Sequence, residues 1–154
     1  MGDAVNLAAR LEAAAKQYGV YTLVSEHTLE RQVPVDGGRS RRVAELVEAR
    51  FLDRIQVVGK AEPVRVYELC AMKGGLSGQQ IALFKIFQEG VQHYRRMQWD
   101  AAIESFAGAA RLEDGEPGRL NPSQLYIERC RAFKQNPPVA PGQEWDGVYR
   151  LTKK

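Results

Sequence analysis

The sequence predicts an α+β fold in its first half and an all-α unit in its second. Three observations carry this reading. Residues 1–73 mix one long helical pattern with short β-rich runs, whereas residues 77–135 show helical periodicity only. Between them, Lys73-Gly74-Gly75-Leu76-Ser77-Gly78 has the composition of a flexible connection, which places a linker at 74–76. Residues 136–154 lose periodicity altogether and form a proline-rich tail with a Trp145-Asp146-Gly147 segment.

Composition narrows the function classes. Apolar residues make up 44% and charged residues 27% of the 154, a globular rather than a disordered profile. The net charge is +3, with basic residues interspersed among acidic ones, so no basic stripe marks a nucleic-acid partner. No apolar run approaches the ~20 residues that span a bilayer, and the first residues lack the pattern of a signal peptide. Cys70 and Cys130 have no metal-like spacing and read as small buried hydrophobes, so a cytoplasmic, reduced chain is expected.

The opening helix is read over 4–18, with Asp3 as its N-cap and Gly19 as its stop. Val5, Ala8, Leu11, Ala15 and Tyr18 recur at helical spacing and predict its apolar face. Glu12 and Lys16 form an i,i+4 pair on the outside. Residues 20–24 read as a buried strand, and Ser25 caps a short helix through 32. The stretch 34–42 is rich in turn residues and reads as a loop. Residues 51–58 and 64–69 then form an antiparallel hairpin around a five-residue turn, with Pro63 where a missing N–H costs least.

In the second half, Ser77 with Gln80 is a capping box that opens a helix to about 96. Met97-Gln98 leaves room only for a tight turn before a second helix over 99–112. Asn121-Pro122-Ser123-Gln124 combines an N-cap, a first-position proline and a Gln three residues on, which starts a third helix ending near 133. The first two helices carry more apolar surface, in Leu83, Phe84, Phe87, Val91, Tyr94, Ile103 and Phe106, than one antiparallel pair hides. Either the tail folds back over it through Trp145, or the groove takes a partner peptide. His27 and His93 have no partners at ligand spacing.

Gly2-Asp3-Ala4-Val5-Asn6-Leu7-Ala8-Ala9-Arg10-Leu11-Glu12 resembles the G-D-x-V-N-x-A-x-R-L-E signature of class III adenylate and guanylate cyclases. Tyr18-Gly19, Ser25-Glu26, Leu52-Asp53-Arg54 and the run from Val58-Gly59-Lys60 to Glu68-Leu69 follow in the family's order and spacing. The resemblance covers about residues 2–70. It implies that residues 1–73 are the C-terminal part of a ferredoxin-like cyclase domain. Gly90, Trp99, Ala102, Phe106 and Ala109 in turn resemble part of a tetratricopeptide repeat, a TPR-like module over 77–135.

By resemblance, Asn6 and Arg10 are the pair that stabilises the transition state, and Lys60 is the substrate-binding lysine that reaches the terminal phosphates. Helical geometry is consistent with this, because residues four apart point the same way and lie near a helix start that favours anions. A guanidinium offers forked donors to phosphate oxygens, and a flexible ammonium suits a phosphate contact. The implied reaction converts ATP, or GTP as the alternative, to a 3′,5′-cyclic nucleotide and pyrophosphate. The implied cofactors are Mg²⁺ or Mn²⁺, held by two aspartates that are absent from this chain; Asp3 is not one of them by position. The implied partner is a second cyclase subunit, since the family builds its sites across a dimer. The chain is expected to be a fragment, inactive alone. A different function class is a non-catalytic interaction module built on the helical tail.

Overall fold

The computed structural model describes residues 2–115 and 118–151, with side chains from residue 7 onward. The chain is a mixed α+β protein that divides into two compact units, one of residues up to 76 together with 149 onward, the other of residues 77–148. No helix among the described residues is long and apolar enough to cross a membrane.

The first unit opens with helix α1, Gly2–Tyr18. Asp3 therefore lies inside the first turn and not at the N-cap. The helix ends as expected at Gly19, whose φ of 70° is the left-handed conformation that glycine adopts at no steric cost. The amide of Gly19 donates to Lys16 O and that of Val20 to Ala15 O, the paired bonds of a Schellman motif. Leu11, Ala14, Ala15 and Tyr18 form the buried stripe, while Ala8, expected on it, is exposed.

Val20 is consumed by this helix stop, and Tyr21 stands 84% exposed. The strand read over 20–24 is accordingly shorter and later, β1 at Leu23–Ser25. Ser25 caps α2, Glu26–Glu30, by accepting from Thr28 N at 3.3 Å. That helix stops before 32, because Gln32 already belongs to the next strand. The expected loop at 34–42 is instead a two-stranded hairpin, β2 (Gln32–Val35) with β3 (Arg39–Arg42). Gly37 and Gly38, both at positive φ, make its turn.

The main sheet has the order β1-β5-β4-β6, with β4 at Val47–Gln56 and β5 at Val64–Met72. These two pair antiparallel, as the hairpin reading requires, but each is longer than expected. Their register shifts between Glu48 and Ala49 and again between Phe51 and Asp53, which makes Leu52 the extra residue of a bulge. Strand β6, Tyr149–Arg150, adds to β4 in parallel at Ile55 and Gln56, so the tail contributes a strand to this sheet. The core here is aliphatic: Leu52, Ile55, Val57, Val64 and Val66 are all below one-tenth exposed.

The second unit holds α3 (Gly78–Arg95), α4 (Trp99–Ala110) and α5 (Pro122–Gln135). The capping box at Ser77 forms on both sides, with Gln80 N donating to Ser77 Oγ and Ser77 N to the Gln80 side chain. Asn121 accepts from Gln124 N at 2.9 Å, as its N-cap position predicts. Met97 closes the α3–α4 turn at a φ of 58°. The core is built from rings: Phe87, Tyr94, Phe106 and Tyr126 are almost fully buried, and Phe106 stacks on Tyr126 at 4.7 Å. A Cβ on Gly90 would stand 2.8 Å from the Phe106 ring, so only glycine lets α3 and α4 approach this closely. Trp145 folds back within this unit and meets Tyr94, Trp99 and Phe133 at centroid distances of 5.0, 5.9 and 5.5 Å.

Candidate functional site

Of the three residues singled out in the sequence, Arg10 approaches the turn that carries Lys60. Arg10 projects from α1 toward the β4–β5 turn. Its Nη2 and Nη1 stand 3.3 and 3.4 Å from where a Cβ on Gly59 would be. Gly59 has a φ of 84°, so it is both the residue the turn conformation favours and the residue whose missing side chain admits the guanidinium. Lys60 follows directly in the same turn. Asn6 lies in α1 one turn before Arg10, and its side chain is outside the described residues.

Two devices hold α1 and this turn in position. Tyr18, the last helical residue and fully buried, donates its phenolic O–H to Asp53 Oδ2. Asp53 is 2% exposed and accepts from Arg54 N with its other oxygen at 2.8 Å. Leu52 and Asp53 are buried at consecutive positions because the bulge interrupts the alternation of the strand. The carboxylate thus ties the C-terminal end of α1 to β4. On the turn itself, Lys60 N donates to Val57 O at 3.1 Å, and the Gln56 side chain donates to Lys60 O at 3.1 Å and Ala61 O at 3.0 Å.

A second polar feature crosses the sheet. Arg50 and Glu68 face each other in the β4–β5 register and form an ion pair of 2.6 Å, Arg50 being 4% exposed. With its arginine buried and Glu68 partly exposed, the pair is costly to break by removing the glutamate, so it reads as a register device. A cavity of about 260 Å³ lies elsewhere in the unit, against Glu26, Glu48, Tyr67 and Lys73, and neither Arg10 nor Lys60 lines it.

The cysteines and histidines add nothing to this site. Burial pushes the Cys70 thiol up to about 11 and the Cys130 thiol to about 12, so both stay protonated at neutral pH and neither is a ready nucleophile. His27 is exposed, and His93 Nδ1 lies 2.7 Å from Gln98 Oε1 at the end of α3. Among the described residues no three His, Cys, Asp or Glu side chains converge as a metal ligand set.

Sequence reasoning missed Gln56 and gave Asp53 no role. Both act through partners that are set by strand register and turn closure, which leave no local pattern in the chain.

Comparison with known proteins places this geometry in context. The chain is 29% identical over 133 residues to "Adenylate cyclase, terminal-differentiation specific" of Dictyostelium discoideum, covering 84% of this chain and 6% of that protein. It is 35% identical over 72 residues to "Adenylate cyclase" of Anabaena cylindrica, covering 46% of this chain and 12% of that protein. These likenesses support a relationship to the cyclases. The longer one exceeds the first unit, so it continues into the helical unit. The chain spans only about an eighth or less of the length of these two relatives. No family model and no solved structure matches.

Proposed function

We propose that this chain contributes one side of a class III adenylate cyclase active site, with Arg10 and Asn6 acting on the reacting phosphate and ribose and Lys60 on the terminal phosphates. The single observation that carries the reading is the approach of the Arg10 guanidinium to Gly59, in the turn that also presents Lys60. The guanidinium thereby meets the turn that carries Lys60, and a nucleoside triphosphate is the ligand whose charge an arginine and a lysine there would match.

In the proposed reaction the ribose 3′-hydroxyl gives up its proton to solvent as its oxygen attacks the α-phosphorus, and the bond from that phosphorus to the β-phosphate bridging oxygen breaks. Negative charge moves onto the pyrophosphate leaving group. A guanidinium fixed before the reaction begins stabilises that charge without reorganising, which is the main protein contribution in phosphoryl transfer. Lys60 contacts phosphates away from the reacting centre and contributes mostly uniform binding. ATP is the proposed substrate, since both similar proteins bear the name adenylate cyclase. Mg²⁺ or Mn²⁺ belongs to the proposed reaction, but the described residues supply no ligand set for it, and no step is assigned through it. A second cyclase subunit is proposed to complete the site, so the chain by itself is inactive. The first unit is proposed as the C-terminal part of a ferredoxin-like cyclase domain over 1–73. Residues 77–135 are proposed as a TPR-like unit whose apolar groove is filled by the chain's own Trp145.

The test is made in a full-length cyclase carrying this segment. Arg10→Ala is expected to lower turnover about 10²–10³-fold, the usual cost of one positioned donor to developing charge. Lys16→Ala, on the exposed face of the same helix, is expected to leave turnover nearly unchanged. Equal effects from the two substitutions overturn the role of Arg10.

A further inference from the structure

We infer that Gln56 is a positioning residue that acts through Lys60, restraining the β4–β5 turn that carries the lysine and whose Gly59 meets the Arg10 guanidinium. The inference rests on the proposed role of Lys60 toward a triphosphate. Gln56 is the last residue of β4, and its side-chain amide donates to two successive carbonyls, Lys60 O at 3.1 Å and Ala61 O at 3.0 Å. Within the turn, Lys60 N donates to Val57 O at 3.1 Å. The side-chain bonds from Gln56 add two restraints on successive carbonyls of this exposed turn.

The main chain of Gln56 is itself held. Its position pairs with Arg150 in β6, and Leu151 N donates to its carbonyl at 3.1 Å. One residue thus joins the tail strand to the turn, and the turn to the space into which the Arg10 guanidinium fits. Only an amide of this length does so. A glutamate presents oxygens to oxygens, and an isosteric methionine fills the space but donates nothing.

The experiment titrates inorganic tripolyphosphate into the whole chain and follows the backbone amides by NMR. In the unsubstituted chain, Gly59, Lys60 and Ala61 amides are expected to shift. Gln56→Met is expected to weaken affinity about tenfold, the scale of losing two modest hydrogen bonds. In a Lys60→Met background, Gln56→Met is expected to add nothing further, because a residue acting through Lys60 has no route once Lys60 is gone. A merely structural residue would lower affinity in both backgrounds. Solvent exchange of the Lys60 amide gives a second readout and should quicken about tenfold in Gln56→Met. If the unsubstituted chain binds no tripolyphosphate, the phosphate role of Lys60 fails, while faster Lys60 exchange in Gln56→Met still supports the restraint. Unchanged exchange and affinity in Gln56→Met, or a full additional loss in the Lys60→Met background, overturns the inference.

Discussion

The two units of this chain spend their polar groups differently. In the helical unit the helix starts are fixed locally, Ser77 and Asn121 each satisfying an amide three residues on, and the buried Arg129 lies over the Tyr126 ring of the same helix. Its interior is a set of stacked and edge-on rings around Phe106 and Tyr126, admitted by the small residues Gly90, Ala102 and Ala109. In the α/β unit polar groups are driven inside. Asp53 and Arg50 are each less than one-twentieth exposed, and their partners, Tyr18 and Glu68, are 35 and 18 residues away. Local bonds fix the helix starts of the helical unit, whereas the long-range bonds fix the relative placement of α1, β4 and β5.

The contrast can be tested from its strongest element downward. Phe106→Ala is expected to cost the helical unit about 3–5 kcal/mol, the usual range for emptying an aromatic core position. Amide exchange should then rise throughout residues 77–148 and not in β4 and β5. If the protection of the β4–β5 hairpin collapses along with the helices, the two units do not have separate cores.

Tyr18→Phe removes one hydroxyl and no packing volume, and it deprives a buried carboxylate of one donor. A cost of about 2 kcal/mol to the α/β unit is expected, read from its denaturant midpoint. A near-zero cost would mean that the Tyr18–Asp53 bond is incidental to how α1 is held.

Trp145→Ala probes the tail within the helical unit. Trp145 is half-buried against Tyr94, Trp99 and Phe133, so a loss of about 1–2 kcal/mol and increased binding of an apolar dye are expected. Unchanged melting and dye binding would show that the groove does not need this cover. The smallest effect belongs to Ser77→Ala, about 1 kcal/mol from a lost N-cap, with faster exchange confined to the first turn of α3. A larger, unit-wide effect would mean that the cap supports more than its own helix.

How much of the fold is legible in the chain follows the same division. The starts of α3 and α5, the stop of α1 at Gly19 and the turn at Met97 are written in residues a few positions apart, and the structure has them at the expected places. The true extent of the strand expected at 20–24 and the pairing within the loop expected at 34–42 are not legible. In the first case a helix stop claims Val20; in the second two short exposed runs gain strand form only by pairing with each other.

The candidate site divides likewise. Sequence alone determined the composition of α1, the Asn6 and Arg10 spacing, and a glycine before Lys60 in a hairpin turn, because side-chain direction in a helix and backbone freedom at a glycine are local properties. Tertiary structure alone decided that Arg10 meets Gly59, that a bulge at Leu52 leaves Asp53 buried against Tyr18, and that Gln56 reaches back to the carbonyls of its own turn. Those outcomes depend on strand register and on how closely a helix end approaches a sheet. Both are fixed by the sum of many weak contacts across the fold, and no short stretch of sequence contains that sum.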